Sequence, residues 1–525
     1  MTAASSQPDN RAWAAVQLTL YVATAALLVV SLGLVTDRWQ WALRCPYDIE
    51  YGEGGVLLSA INIAHGNQVY NDFSHLPYTV ETYPPVFALI AALGVKLFGV
   101  SFAFGRLLSM LGALGTAALI WAILRRAGTS RLAAALAAIV FLVTPITGWW
   151  ARVARVDMVA LFFGIAGLYC VVRGGRWLIP AVGLMALAVY TRQTTVAPLA
   201  ASLVYLWWIR ERKNAVLVLT SWAAVALIAY TAFQAVTHGL FYKHIVVSNQ
   251  NLWQLKLLAG LWTKVFVDWP YPYVMGVVGA AVVVVNRQER AAMRAAHGGD
   301  RRPVMMLVTY FLFAALSSLA AGKIGAYINY MIEIVAGCCL MAGLAYDRLA
   351  ACRDSRYGRP VWAAVWLGLA VALVFPIRGA LTGADFGGEP QFRRRIMQGG
   401  KEAVALIRQS KGDVLSEDGG LPLLAGRQLL LEPFEFTQMF RDGNWDQRPL
   451  LADIKRRRFA LIILRWDPRL RATDEYGNYG FLRWSVGMGG AIMRNYYLLE
   501  QTGFYFIMAP ADARHPAVAA APIRR

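Results

Sequence analysis

Charge is scarce in this chain. Of its 525 residues, 16% are Asp, Glu, Lys or Arg and 58% are hydrophobic. A soluble domain carries about 25% charged and about 45–50% apolar residues. The shortage excludes a soluble globular enzyme, a disordered chain and a coiled coil, and leaves a polytopic membrane protein. Cysteine is nearly missing as well. Its five occurrences (Cys45, Cys170, Cys338, Cys339 and Cys352) show no CxxC or other metal spacing, so no disulfide framework is expected. No histidines form HxxxH or HExxH, which argues against a dedicated zinc site. A P-loop, a GxGxxG after a strand and a GxSxG are all lacking, and with them any support for ATP-driven transport or serine-type hydrolysis. No repeat of 20–50 residues suggests a solenoid.

Apolar runs are what the chain has in abundance. A bilayer core about 30 Å thick needs about 20 mostly apolar residues in a helix. Such runs fall at roughly 13–36, 102–124, 130–149, 156–173, 176–191, 193–209, 214–237, 271–286, 303–321, 329–346 and 361–377, about eleven in all. The first is too long for a cleaved signal peptide. The stretch 84–99 is short, starts Pro-Pro and carries Lys96, and reads as a helix lying at the interface. The net charge of 51 − 31 = +20 gathers at the edges of these runs and in the C-terminal segment, so orientation in a bilayer explains much of it without nucleic acid. One set of short loops holds Arg125, Arg126 and Arg131; Arg173 and Arg176; Arg210, Arg212 and Lys213; Arg287, Arg290, Arg294, Arg301 and Arg302; Arg348, Arg353, Arg356 and Arg359. These loops are expected to be cytoplasmic, which places the N-terminus inside and, after an odd number of spans, the C-terminus outside. The predicted fold is mainly α: a polytopic membrane domain over 1–378, with a first outer loop at 37–101, then a small extracytoplasmic α/β domain over 379–525. The strand-like runs RRRFALIILRW and YYLLEQTGFYFIMAP, after a helical FRRRIMQGGKEAVALIRQ, mark that second unit.

Ionisable residues near a membrane are costly and mark function by default. The first outer loop reads RCPYDIEYGEGG and places Asp48, Glu50 and Glu53 within six positions. Crowded at a low-dielectric boundary, they repel, so at least one carboxyl should titrate high unless a cation intervenes. They could then serve as a general base, or Asp48 and Glu50 could hold a divalent cation through oxygen; a solvated acidic loop is the plain alternative. Farther on, GWWARVARVDM carries Arg152, Arg155 and Asp157. Asp157 at a helix start complements the helix dipole, while the arginines beside two tryptophans would cradle a phosphate and a polar ring. Arg192 and Lys323 lie at further outer ends, and Asn329 and Glu333 share a helix face, with Lys323–Glu333 as a purely structural tie on the other reading.

In order and spacing these motifs, together with the Tyr83-Pro84-Pro85 segment, Gly105-Arg106, ARVDM, TRQ at 191–193 and GKIGAYINYMIE at 322–333, resemble the GT-C superfamily of integral-membrane glycosyltransferases. The likeness is to glycosyltransferase family 39, with its protein O-mannosyltransferases and lipid A aminoarabinose transferase, and it covers roughly residues 10–380. It implies an inverting transfer from a polyprenyl-phosphate sugar to an acceptor on a glycan, lipid or protein at the outer face of the cytoplasmic membrane. An acid of the first outer loop would be the base: Asp48 is the best positional match, and Glu50 competes because relatives carry adjacent Asp-Glu where this chain has Asp-Ile-Glu. Asp157 matches a second catalytic acid. Arg155, Arg192 and Lys323 would hold the donor phosphate, and Glu53, Tyr83, Arg106, Asn329, Tyr330 and Glu333 the acceptor or sugar. No cofactor follows beyond the candidate divalent cation at Asp48 and Glu50. The competing class is a secondary transporter or flippase of lipid-linked sugars, whose inverted repeats and midplane charges are not evident here.

Overall fold

The computed structural model describes residues 7–285, 302–355, 358–382 and 390–520. Arg287, Arg290, Arg294, Arg301 and Arg356 of the basic loops lie outside these residues. The chain is a multi-pass membrane protein with a small sheet domain at its C-terminal end. A helix stands at each of the eleven apolar runs, but their lengths differ. Arg11–Arg44, Ala103–Arg126, Arg212–Val236, Pro303–Gly322 and Ile328–Cys352 are long and apolar enough to cross a bilayer alone. Leu255–Asp268 and Tyr271–Val285 form a further crossing if taken together, bent by 94°. The break falls at Pro270, which cannot donate a helix hydrogen bond. Among the shorter apolar helices, Arg131–Val143 stops at Thr144-Pro145 for the same reason, and Val86–Phe98 is too short to span.

Burial sorts the helices into a centre and a wall. Every residue from Ile332 to Tyr346 is buried, so this helix is the axis of the bundle. It is lined by close approaches: a Cβ at Gly279 would strike the Met341 carbonyl, and one at Gly276 would strike Cys338. Small residues at such crossings let helix backbones meet where lipid offers no hydrophobic drive. Arg212–Val236 is the opposite case. It leaves Leu217, Leu227, Ile228 and Val236 exposed, as an outer helix facing hydrocarbon should.

The loops segregate to two ends. At one end Trp13 and Gln17 donate to Asp354 (3.2 and 3.1 Å), and the Ser130 N–H donates to Asp347 (2.7 Å). The N-terminal helix therefore shares this end with the basic loops around 125–131 and 348–354. The first long loop, the 150–157 turn, Arg192 and the 323–330 turn lie at the other end, beneath the C-terminal domain. That domain is a four-stranded sheet in the order β1 (Val414–Ser416), β2 (Leu461–Leu464), β4 (Tyr505–Pro510), β3 (Tyr496–Thr502). β1 and β2 are parallel, and β4 is antiparallel to both β2 and β3. All of Leu461-Ile462-Ile463-Leu464 is buried, as expected of a strand covered on both faces. The domain is stitched to the first loop by backbone: the Tyr78 N–H donates to Leu430 O (2.8 Å), and the Glu432 N–H donates to Tyr78 O (3.0 Å). Gly54 lies so close to Gly419 and Gly420 that a Cβ there would meet their main chain.

Candidate active site

The loop Cys45–Gly52 is folded around one arginine. Arg106, in the first turn of helix Ala103–Arg126, donates to Ala42 O (2.8 Å), Cys45 O (2.5 Å) and Tyr47 O (2.6 Å). Its Nε and Nη2 reach the two oxygens of Glu53 at 2.8 Å each. Glu53 also accepts from the N–H groups of Ile49 (2.7 Å), Glu50 (3.3 Å) and Ala154 (2.6 Å). Both side chains are wholly buried. A bidentate guanidinium–carboxylate pair with its remaining valences filled by backbone satisfies what burial of two charges demands. Glu53 and Arg106, expected to bind acceptor or sugar, are thus consumed in holding the loop, and offer a substrate no face.

Two further guanidiniums lie beside that loop. Arg155 pairs with Glu50 (3.4 Å) and donates to the Tyr83 hydroxyl (2.8 Å). Its Nε is buried without a partner. Glu50 is also fixed by the Gly52 N–H (2.9 Å). Arg192, at the C-terminal end of helix Leu178–Thr191, pairs with Asp157 (3.1 Å) and lies over the Tyr330 ring at 4.6 Å. Asn329 donates to the same Asp157 oxygen (2.9 Å), and the other oxygen, Oδ2, is buried and unpartnered. Tyr83 feels charge from both Arg155 and Arg192 and joins the two groups. Glu333 accepts from Ser317 Oγ (2.6 Å) and keeps one buried oxygen, Oε1, without a partner. Lys323 is apart from this group: Asp442 of the C-terminal domain is the charge that it feels, and burial lowers its pKa. The expected Lys323–Glu333 tie is not formed.

The C-terminal domain closes the site from above. A small pocket is walled on one side by Tyr51, Glu81, Tyr83 and Arg155, and on the other by Glu417, Glu432 and Glu435. Burial lifts the Glu81 and Glu435 carboxyls to about 7. Asp48, the expected base, does not line this pocket. It is 1% exposed; its Oδ1 accepts from the Gly420 N–H at 3.1 Å, and its Oδ2 is buried without a partner. Gly420 leaves no room for a Cβ between the Asp48 carboxylate and Phe102. Burial, and Asp418 nearby, push the Asp48 carboxyl well above the carboxylate range. A sealed, high-titrating acid is poorly placed to take a proton from an incoming hydroxyl.

Residues 82–237, under a third of the chain, match the sequence family described as dolichyl-phosphate-mannose-protein mannosyltransferase. No curated protein matches the chain in sequence. In three dimensions it is similar to ArnT from Cupriavidus metallidurans, both in the apo state and bound to undecaprenyl phosphate. The TM-score is 0.57 at 14% identity, over 92% of this chain and 98% of that one. It is also similar to the Archaeoglobus fulgidus oligosaccharyltransferase in a complex with Zn and sulfate, with TM-score 0.51 and 11% identity over 92% of this chain and 74% of the other. The chain has the GT-C fold.

Within this GT-C fold the structure gathers Glu50, Tyr83, Arg155, Asp157, Arg192, Asn329, Tyr330 and Glu333 at one end of the bundle. It sets Asp48 beneath the C-terminal domain and Lys323 to one side. Asp48 and Glu50, the candidates for a divalent cation, turn to different partners, Gly420 and Arg155. Among the described residues no group of three or more His, Cys, Asp or Glu is arranged to hold a metal ion, so this donor set does not fit one. Sequence reasoning missed the far wall. Glu432 and Glu435 sit in a plain LEPFEF segment with no recognisable spacing, and only the fold brings them to Tyr51. The nearest signal was Pro433 at a helix start, which put Glu435 in a first turn.

Proposed function

We propose that this protein is a membrane glycosyltransferase that moves a sugar from a polyprenyl-phosphate carrier to an acceptor hydroxyl, with inversion at the anomeric carbon. The observation that carries the reading is the convergence of Arg155 and Arg192 on Tyr83, at the bundle end that the C-terminal domain covers. A departing lipid phosphate needs fixed positive charge and planar donors, and guanidiniums preorganised by carboxylates supply both. Glu50 and Asp157 orient the two arginines, and Tyr330 supports Arg192 from below. The undecaprenyl phosphate in the ArnT structure, a protein of like fold, supports the choice of carrier. Because the phosphate leaves attached to its lipid, no nucleotide motif is needed. The site then faces the outer side of the cytoplasmic membrane, with the N-terminus and basic loops inside and the C-terminal domain outside.

Purified protein in detergent should transfer radiolabelled sugar from an undecaprenyl-phosphate donor to a cell-envelope extract. Arg155→Ala and Arg192→Ala should each lower the rate about 100-fold or more. Wild-type rates in both variants would refute the assignment, and facilitated movement of the intact donor between leaflets without transfer would favour a flippase instead. Tags at the two termini, probed for access in intact cells, test the orientation.

A further inference from the structure

Helix packing locates the bilayer surface at the outer end of the bundle. Helix Tyr271–Val285 runs along the axis helix with Gly276 at Cys338 and Gly279 at Met341. The two therefore point the same way, from the end that holds Glu333 to the end that holds Asp347, and Tyr271 is at the outer end. Leu255–Asp268 precedes it and is turned from it by 94°, which lays this 14-residue helix along the membrane plane. At about 100° per residue, Leu255, Ala259 and Phe266 fall on one exposed face, with Leu255 66% exposed, while Lys256 and Lys264 point elsewhere. That is the pattern of a helix seated in the interface with its apolar face toward the acyl chains.

A hairpin of the C-terminal domain stands beside this helix. Its stem is Tyr479 and Trp484, which exchange backbone hydrogen bonds (2.8 and 3.0 Å), and its tip carries Phe481 and Leu482. Both have a left-handed backbone, with φ of +55° and +69°. Bulky residues keep that conformation only where the surroundings impose it. Here Asp474 imposes it: its carboxylate accepts from the N–H groups of Leu482 (2.7 Å), Asn478 (3.0 Å) and Tyr476 (2.9 Å). The same turn is fastened to the start of the surface helix, through Lys256 to Glu475 (2.6 Å) and the Tyr476 hydroxyl to Gln254 (2.8 Å). The tip so held presents Phe481 to its surroundings, 89% exposed, where a water-facing turn would carry Gly or Asn.

We propose that Phe481 is a membrane foothold of the C-terminal domain, seated in the outer-leaflet interface beside helix Leu255–Asp268. Phospholipid covers this apolar tip, at the depth where aromatic rings gather in membrane proteins. Arg483, two residues on, links the foothold to the site: it pairs with Glu417 (2.6 Å) and lies over the Tyr51 ring at 4.3 Å. One hairpin thus joins the bilayer surface to the wall of the pocket. Neither donor nor acceptor enters this assignment, which stands or falls apart from the glycosyl-transfer reading.

The test uses the full-length protein in nanodiscs of phosphatidylethanolamine and phosphatidylglycerol. Cys352→Ser removes the exposed thiol and leaves the buried ones, and Phe481→Cys then carries a nitroxide at the tip. Leu255→Cys reports on the surface helix, and Lys455→Cys on an exposed position of the C-terminal domain. In power-saturation EPR, collisions with oxygen, which partitions into lipid, should exceed those with a water-soluble nickel chelate at 481 and 255, and the order should reverse at 455. Nickel-dominated collisions at 481 overturn the proposal, whatever position 255 shows. Low rates with both reagents overturn it as well, since they would reveal a protein cover such as a second copy. An unlabelled variant decides if the labelled one does not fold. Phe481→Asp should speed tryptic cleavage after Arg483 about tenfold in nanodiscs, the loss of one ring from the interface, and less than about twofold in amphipol, which offers no bilayer surface. Equal acceleration in both would make Phe481 a packing residue of the domain alone and sink the foothold.

Discussion

Glu53→Gln is the sharpest probe of how the first loop is held. In the wild type, Glu53 Oε1 accepts from Arg106 Nε and the Ala154 N–H, and Oε2 from Arg106 Nη2 and the N–H groups of Ile49 and Glu50. Every contact is a donor. Glutamine has one oxygen and one NH2, so whichever way it turns, at least two donors face a donor. Each buried polar group left unsatisfied costs about 1–3 kcal/mol. Arg106 also loses its counter-charge at 0% exposure, and breaking a buried pair by removing one partner costs about 3–5 kcal/mol in all. We expect a loss in that range, read by SDS titration of the detergent-purified protein. In a double-mutant cycle, Glu53→Gln with Arg106→Gln should cost less than the sum of the single changes. If Glu53 instead bound sugar, the variant would keep its stability within about 1 kcal/mol and show a raised KM alone; that outcome would refute the structural assignment.

Three other expectations follow from the same geometry. Gly54→Ala should loosen the C-terminal domain, since the added methyl meets the Gly419–Gly420 main chain; limited proteolysis between residues 410 and 520 should speed up while the membrane bundle stays intact. Arg192→Ala should weaken undecaprenyl phosphate binding roughly ten- to hundredfold, the worth of a charge-assisted hydrogen bond of about 1.5–3 kcal/mol, and Asp157→Asn should weaken it less, as measured by ligand-induced shifts in Tm. His244 supplies a pH dependence. Its Nε2–H donates to Asn71 O (2.8 Å) and its Nδ1 accepts from the Glu81 N–H (3.0 Å), so a second proton would break the latter bond, and burial lowers its pKa from 6.5 to about 4. The unfolded chain takes up that proton first; the contribution is therefore complete above about pH 6.5 and declines as pH falls toward 4, by about 3 kcal/mol in the limit. His244→Gln should flatten stability over that window, and an unchanged pH profile in the variant would refute the assignment.

How much was legible in the sequence differs by physical scale. The bundle was readable because hydrocarbon imposes long apolar runs and confines charge to their ends. Arg155, Asp157, Arg192 and Asn329 stood out as ionisable or polar residues at those ends, and the fold does bring them together. Span lengths were less legible, since Pro145 breaks a helix inside a run that remains apolar, and Leu255–Asp268, bent at Pro270 against the run from 271, was not expected at all. Glu53 looked like a site residue because charge beside a membrane is costly, and Arg106 through the family resemblance. That cost is met by pairing, and nothing in local spacing distinguishes a pair that closes on itself from one that waits for a ligand. Lys323 failed for a related reason: two groups ten residues apart can face different neighbours once a 3-10 turn such as Ile328–Met331 separates them.

The far wall of the pocket shows how little position in the chain says about which acids meet in the fold. Asp48 and Glu435 both titrate above the usual range, and composition treats them alike. What separates them is the direction from which the C-terminal domain arrives. It lays Gly420 over Asp48 while its helix Pro433–Arg441 presents Glu435 to the pocket. The parallel bridge between Tyr78 and Leu431 fixes both outcomes at once, because it sets the register of the chain from 420 to 435 against the first loop. A shift in that register would uncover Asp48 and withdraw Glu435 together, so reactivity at the two acids should be anticorrelated. Gly54→Ala, by loosening the domain, should therefore raise labelling of Asp48 by a carboxylate reagent as it lowers transfer, whereas a domain that only shelters a self-sufficient first loop would show the first effect without the second.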